Sequence, residues 1–370
     1  MENKRPVLIT AGGTGGHVYP GLAVARALQE QGVPVVWMGT HKGLEARVIP
    51  EAGIEMAWLD VTGLRGKGVM ALVLAPFKLV KALYQSVAIM RKHKPVAVLG
   101  MGGFVAGPGG LVASLMKIPV VIHEQNAIPG LTNRLLSKFS TKVLEGFPGS
   151  FTQAKDKAVP IGNPVRKDIA GLPAPAERMK QHGDKLHLLI IGGSLGAQAL
   201  NETVPVALAQ LDESIRLVVR HQAGRDKDAM TRECYEKASV DAQVSPFIED
   251  MAEAYGWADL VICRSGALTV AELAAAGLAS VLVPYPYAVD DHQTANGLYL
   301  SENGAAILLP QTDLTASALA EHLEKMMQTP ERLLQMGERA RELARPDATA
   351  EVAAIVAGLA DYRFNTEVVA

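Results

Sequence analysis

The chain has 370 residues, 49% of them hydrophobic and 5% aromatic, with two cysteines, Cys234 and Cys263. That length favours two domains over one, and two isolated cysteines exclude a disulfide framework or a cysteine-held metal cluster and fit a reducing compartment. The net charge of −2 conceals an asymmetry, because residues 1–160 carry 18 Lys and Arg against 9 Asp and Glu whereas residues 161–370 carry 18 against 29, so the first half is expected to meet an anionic partner: nucleic acid, a membrane surface or a charged lipid.

In chain order, residues 1–6 lead straight into an apolar run, leaving no room for a signal peptide. Strands are predicted at 7–10, 33–38, 96–100 and 119–123, with short ones at 143–145 and 159–161. Helical spacing occupies 21–31, 43–52, 70–92 and 109–117. This alternation predicts a parallel sheet covered on both faces. Residues 162–175 are rich in Gly and Pro and form the expected joint, giving domains 1–163 and 164–346. A second α/β series follows, with strands at 186–191, 217–221, 244–247, 260–263, 280–284 and 305–309. Helices run from 315 onward, and the last, about 347–362, is expected to cross back to the first domain.

Residues 95–116 carry no charge, but six glycines and two prolines split them into strand, turn and helix rather than a membrane span. No acidic residue falls between Asp60 and Glu124, where Arg65, Lys67, Lys78, Lys81, Arg91, Lys92, Lys94 and Lys117 stand. Within that stretch Met70, Val73, Leu74, Phe77, Val80, Tyr84 and Val87 recur at helical intervals. Two structures fit the pattern: a basic amphipathic helix lying in a membrane interface, or a core-facing helix with a solvated basic side.

Three apolar runs each end in glycines: Gly12-Gly13-Thr14-Gly15-Gly16-His17, Gly100-Met101-Gly102-Gly103, and Gly192-Gly193-Ser194-Leu195-Gly196. A glycine turn opening a helix makes a cradle of backbone N–H groups for phosphate. Nicotinamide dinucleotides also need an acidic residue closing the second strand. Here that strand ends Met38-Gly39-Thr40-His41, and no Walker lysine follows any turn. His17 is the only titratable group of the first turn, and a helix N-terminus disfavours its cationic form. It fits a general base, a phosphate ligand or a structural contact. His123-Glu124-Gln125-Asn126 closes a strand and serves either a ligand at the sheet edge or the cap of the next helix. Arg264-Ser265-Gly266-Ala267-Leu268-Thr269-Val270-Ala271-Glu272 also follows a strand, and Glu272 has the two acceptors needed to hold both ribose hydroxyls. Asp290 to Asn296 suits either a sugar or a helix cap. No spacing matches a zinc site or a nucleophile elbow.

Taken in order, these motifs, together with Gly162-Asn163-Pro164-Val165-Arg166, resemble the MurG family of bacterial N-acetylglucosaminyltransferases along nearly the whole chain. The resemblance implies an α/β fold of two Rossmann-like domains facing across a cleft, the B-type glycosyltransferase fold. It implies inverting transfer from UDP-N-acetylglucosamine to the C4 hydroxyl of an undecaprenyl-pyrophosphoryl muramoyl-pentapeptide, with no cofactor and no metal. The implied setting is the cytoplasmic face of the inner membrane, peripherally bound to an anionic lipid surface rather than to nucleic acid, with other cell-wall synthesis proteins as possible partners. By the same resemblance Thr14, Gly15, Gly16, Asn126, Arg166, Ser194, Ile248, Ala267, Leu268, Thr269, Val270, Ala271, Glu272 and Gln293 contact the donor. Ile248 meets uracil through its backbone and Glu272 meets the ribose. His17 is the implied base, with Glu124 as second candidate. Leu195 stands where some relatives carry glutamine, which removes a side-chain contact but not the backbone cradle. A 2-epimerase acting on the donor alone and a non-enzymatic nucleotide-sugar-binding membrane module are the alternatives.

Overall fold

A computed structural model of the protein describes residues 4–60, 75–154, 156–180, 185–212, 215 and 217–366. The chain divides into two units, Met1–Val165 with Pro346–Ala370, and Arg166–Arg345.

The first unit runs β1 (Val7–Ala11), α1 (Gly15–Glu30), β2 (Val35–Thr40), α2 (Glu45–Glu51), β3 (Glu55–Leu59), α3 (Ala75–His93), β4 (Ala97–Gly102), α4 (Ala106–Leu115), β5 (Val120–Glu124), α5 (Leu131–Leu136), β6 (Lys142–Glu145) and β7 (Ala158–Pro160). The sheet order is β3-β2-β1-β4-β5-β6-β7, parallel throughout. β1 is buried along its whole length, as a strand covered on both faces must be. Its side chains alternate between two cores: Val7, Ile9 and Ala11 face α1, and Leu8 faces the side lined by α3 and α4.

Three local features depart from the sequence expectation. α1 begins at Gly15 rather than 21, because extended Thr14 accepts the His17 and Val18 N–H groups at its carbonyl, 3.1 and 3.2 Å away. Pro20 is therefore inside the helix, near its start, where it removes one early bond. β3 was not expected; only Ala57 and Leu59 of its five residues are buried, a weak alternation that suits an edge strand. The expected helical stretch 70–92 is helical from Ala75; Met70, Val73 and Leu74, with Arg65 and Lys67, lie outside the described residues.

The second unit continues with α6 (Lys167–Ala170), α7 (Pro175–Met179), β8 (Leu186–Ile191), α8 (Gln198–Leu208), β9 (Leu217–Gln222), α9 (Asp228–Lys237), β10 (Gln243–Ser245), α10 (Met251–Trp257), β11 (Leu260–Cys263), α11 (Ala267–Ala276), β12 (Ala279–Leu282), a 3-10 turn (Val289–Asp291), α12 (His292–Ser301), β13 (Ala306–Leu308), α13 (Ala316–Met327) and α14 (Pro330–Glu342). Its parallel sheet is ordered β10-β9-β8-β11-β12-β13. The last helix, α15 (Ala348–Leu359), packs on α1 and β4 of the first unit and buries Val352, Ala353 and Val356 in that core.

Both sheets reverse their strand order beside their first strand, between β1 and β4 and between β8 and β11. The carboxyl ends of such strand pairs form a crevice, the usual ligand position in open α/β sheets.

Candidate active site

At the first reversal, Ala11 pairs with Gly102, so the glycine turns that follow β1 and β4 are neighbours. His17 lies in the first turn of α1, half-buried, with Nδ1 3.3 Å from Thr14 Oγ1. If Nδ1–H donates to that hydroxyl, Nε2 keeps its lone pair and can take a proton. Gly102 has φ 105°, and a Cβ there would lie 2.8 Å from His17 Cδ2 and 3.0 Å from Nε2. Glycine at this position is what seats the imidazole over the strand end. Thr14 and Gly16 are exposed, and Gly15 is half-buried.

At the end of β5, Glu124 is 2% exposed and saturated. Its Oε1 accepts from Asn126 N–H and Nδ2 (3.0 and 3.1 Å), and its Oε2 from Gly130 N–H and Asn133 Nδ2 (both 3.0 Å). Four donors on one carboxylate shape the loop and hold half-buried Asn126 in place. His123 is fully buried. It bonds Gly162 O through Nε2 (2.8 Å) and Gln125 Nε2 through Nδ1 (3.1 Å). Burial pushes its pKa down to about 4, so the ring is neutral. Asn163 Nδ2 in turn donates to Gln125 O at 3.0 Å. The motifs at 123–126 and 162–163, separate in sequence, thus interlock within the first unit.

At the second reversal, the turn after β8 is held by backbone bonds to the end of β9 and the segment after it. Gly192 N–H donates to Gln222 O (3.1 Å) and Arg225 N–H to Ser194 O (3.3 Å). Ser194 and Leu195 are exposed. α8 starts only at Gln198, so three residues of loop separate Ser194 from the helix. Beneath it, Asn201 donates to Ala223 O (2.9 Å) and bonds His221 Nε2 (3.0 Å), whose Nδ1 faces Tyr235 Oη (2.9 Å). Burial lowers the His221 pKa to about 3. This buried network was not apparent from sequence, because its three residues sit on separate elements with no common spacing.

After β11, extended Gly266 starts α11. Leu268, Thr269, Ala271 and Glu272 are partly exposed, whereas Ala267 and Val270 are buried. Glu272 Oε2 accepts from Tyr255 Oη at 3.1 Å, and Oε1 lies 3.8 Å from Arg166 Nη2. Burial raises the Glu272 pKa, while Arg166 and the Tyr255 hydroxyl pull it back. At 3.8 Å the Arg166 pair is longer than a charge-assisted hydrogen bond, so both groups retain capacity for other partners. Arg264 is committed elsewhere: it donates to Val283 O, Pro284 O and Gln311 Oε1. Gln293 Oε1 accepts from Tyr285 N–H at 2.9 Å. Ile248, in the loop before α10, is half-buried and lines a cavity of about 320 Å³ with Arg220, Gln243, Ser245, Phe247, Glu253 and Ala254. The second unit therefore brings Arg166 and Glu272 together, and places Ser194 and α11 after the adjacent strands β8 and β11. Among the described residues no cluster of His, Cys, Asp and Glu could hold a metal ion.

Residues 7–145 match the glycosyltransferase family 28 N-terminal domain and residues 187–352 the glycosyltransferase family 28 C-terminal domain. A relative from Alkalilimnicola ehrlichii is 56% identical over 95% of this chain and 98% of its own length. One from Marinobacter nauticus is 53% identical over 94% of this chain and 96% of its own. Both are named UDP-N-acetylglucosamine–N-acetylmuramyl-(pentapeptide) pyrophosphoryl-undecaprenol N-acetylglucosamine transferase. The crystal structure of Acinetobacter baumannii MurG is 43% identical, with a TM-score of 0.82 over 96% of this chain and 99% of that one. Two parallel α/β units with these matches have the B-type glycosyltransferase fold, and the chain belongs to glycosyltransferase family 28, among its MurG members.

Proposed function

We propose that this glycosyltransferase moves N-acetylglucosamine from UDP-N-acetylglucosamine to the C4 hydroxyl of the muramoyl sugar of a polyprenyl-pyrophosphoryl acceptor, with inversion at the anomeric carbon. The observation that carries this is the placement of both residue sets at strand-order reversals, Thr14–His17 with Gly102 in one sheet and Ser194 with Ala267–Glu272 in the other. His17 Nε2 takes the proton of the acceptor hydroxyl as its oxygen bonds to the anomeric carbon. The bond from that carbon to the diphosphate oxygen breaks, and UDP leaves with the electron pair. Glu272 accepts from the ribose hydroxyls, and the α11 N-terminus and Arg166 offset charge on the departing diphosphate. Thr14, Gly15 and Gly16 give backbone and hydroxyl donors to the donor sugar, Asn126 and Gln293 its side-chain hydrogen bonds, and Ile248 a backbone contact for uracil.

For the acceptor's lipid, we propose docking of the first unit on an anionic membrane. Phe77, Val80 and Tyr84 lie on α3 at 73%, 66% and 77% exposure. Leu115 at the end of α4 and Leu131, Leu135 and Phe139 at α5 are also exposed, and α3, α4 and α5 pack in succession. Ser114 Oγ bonds Phe139 O at 3.1 Å, joining the α4 and α5 ends. Lys78, Lys81, Lys117 and Lys138 belong to the same elements and their flanks. No helix among the described residues is long and apolar enough to cross a membrane. Apolar contact with acyl chains plus lysines at headgroups is the chemistry of peripheral binding, here to the cytoplasmic face of the inner membrane.

The test is transfer by the purified chain from sugar-labelled UDP-N-acetylglucosamine to a lipid-linked muramoyl-pentapeptide analogue. Label entering the lipid phase, with UDP-glucose a poor competitor, supports the proposal. Epimerised donor without acceptor, or bound donor that never turns over, would refute it.

A further inference from the structure

Glu45 is completely buried at the start of α2. Its Oε1 accepts from Thr40 N–H (3.0 Å) and Thr40 Oγ1 (2.9 Å), both at the last residue of β2. Its Oε2 accepts from Gly13 N–H (3.1 Å), in the turn after β1. One carboxylate thus ties the end of β2 to the turn after β1 at the carboxyl edge of the sheet. The seat is fitted to it: a Cβ on Gly12 would lie 2.6 Å from Oε1, and a Cβ on Gly43 would run into the carboxyl group. A carboxyl group buried this deep is tolerated only when hydrogen bonds replace its lost hydration. A dinucleotide-binding fold turns the acid of its second strand outward to a ribose. Here an acid five residues beyond Thr40 turns inward and occupies an N–H of the glycine turn that an anionic ligand would otherwise take.

The consequence runs through the chain. Gly13 precedes Thr14, Thr14 O accepts from His17 N–H (3.1 Å), and Thr14 Oγ1 faces His17 Nδ1 (3.3 Å). We propose that Glu45 is a positioning residue of the active site: by holding Gly13 it fixes the loop that orients the Thr14–His17 pair, and it closes the first glycine turn to phosphate at Gly13. The kinetic part rests on the transferase proposal above; the structural part does not.

Glu45→Gln isolates the effect. The carboxamide has the same shape but one acceptor and one NH2 donor. With its oxygen on Thr40, its NH2 meets the Gly13 N–H donor to donor; flipped, it loses Thr40. Thr40→Val is the control, since it deletes the Thr40 Oγ1 bond and leaves the Gly13 bond. For Glu45→Gln, kcat per folded molecule is expected to fall about 10- to 100-fold, as for a displaced catalytic group. UDP affinity stays unchanged, and amide exchange across residues 13–17 accelerates. Thr40→Val lowers the melting temperature without a comparable loss of kcat. In the unsubstituted protein the Gly13 amide exchanges more slowly than those of Thr14 and Gly16, a measurement that needs no variant. Wild-type kcat in Glu45→Gln, an equal kcat loss in Thr40→Val, or a fast Gly13 amide would overturn the inference. If the unsubstituted chain transfers no sugar, the transferase proposal falls alone and the exchange data still decide this one.

Discussion

His17 is placed by two neighbours that do different things: Thr14 Oγ1 fixes one ring nitrogen and Gly102 leaves room for the other. Removing the imidazole should therefore cost chemistry rather than donor binding. His17→Ala is expected to lower kcat by about 100-fold or more, the usual scale for a lost general base. Titration calorimetry should find UDP affinity unchanged, and a wild-type rate would remove His17 from the role. The residue types at this edge were legible in the sequence because glycine turns and a lone histidine leave a pattern. Side-chain direction was not. Glu45 was passed over because an acid was sought at the end of β2 and aimed outward. Glu124, the second candidate base, is legible as an acid at a strand end, but the four donors on its carboxylate leave no mark in the spacing. Arg166 and Glu272, read separately, turn out to be ion-pair neighbours, a relation between positions 106 residues apart that no local spacing encodes.

At the scale of elements, α3 shows what periodicity can and cannot say. The apolar stripe is real, but Phe77, Val80 and Tyr84 point outward, while the residues it buries are Ala82, Ser86, Ile89 and Met90. Periodicity identifies a face, and only packing tells which face the core takes. Reversing charge beside the outward face tests docking directly. Lys78→Glu combined with Lys81→Glu should weaken binding to anionic vesicles by about tenfold or more, since each basic group near such a surface is worth about 1 kcal/mol. Sedimentation with liposomes measures this, and unchanged binding would refute the docking surface. The Lys81–Asp60 contact at 3.8 Å is solvent-exposed and adds little to folding, so the double variant should remain folded. β3 shows the opposite limit: five residues with two buried side chains carry too little alternation to announce a strand.

For the whole molecule, His123 in the first unit and His221 in the second are the histidines fully buried among the described residues. Burial holds them near pKa 4 and 3, against 6.5 when exposed. Between those values and 6.5 the unfolded chain binds more protons, so stability is complete above pH 6.5 and declines as pH falls through the window. The full loss is on the order of 3 kcal/mol for His123 and about 5 kcal/mol for His221. Calorimetry from pH 7 to pH 4.5 should show falling melting temperatures, and a flat profile would contradict it. The twin α/β plan itself was legible because strand and helix alternate at regular lengths in both halves. The return of α15 to α1 and β4 has a consequence for biosynthesis. The apolar surface that receives Val352 and Val356 stays uncovered until residues 348–359 are made, after the whole of residues 166–345. The portion made first is thus completed last, and a nascent chain stalled before residue 348 would offer that uncovered surface to chaperones.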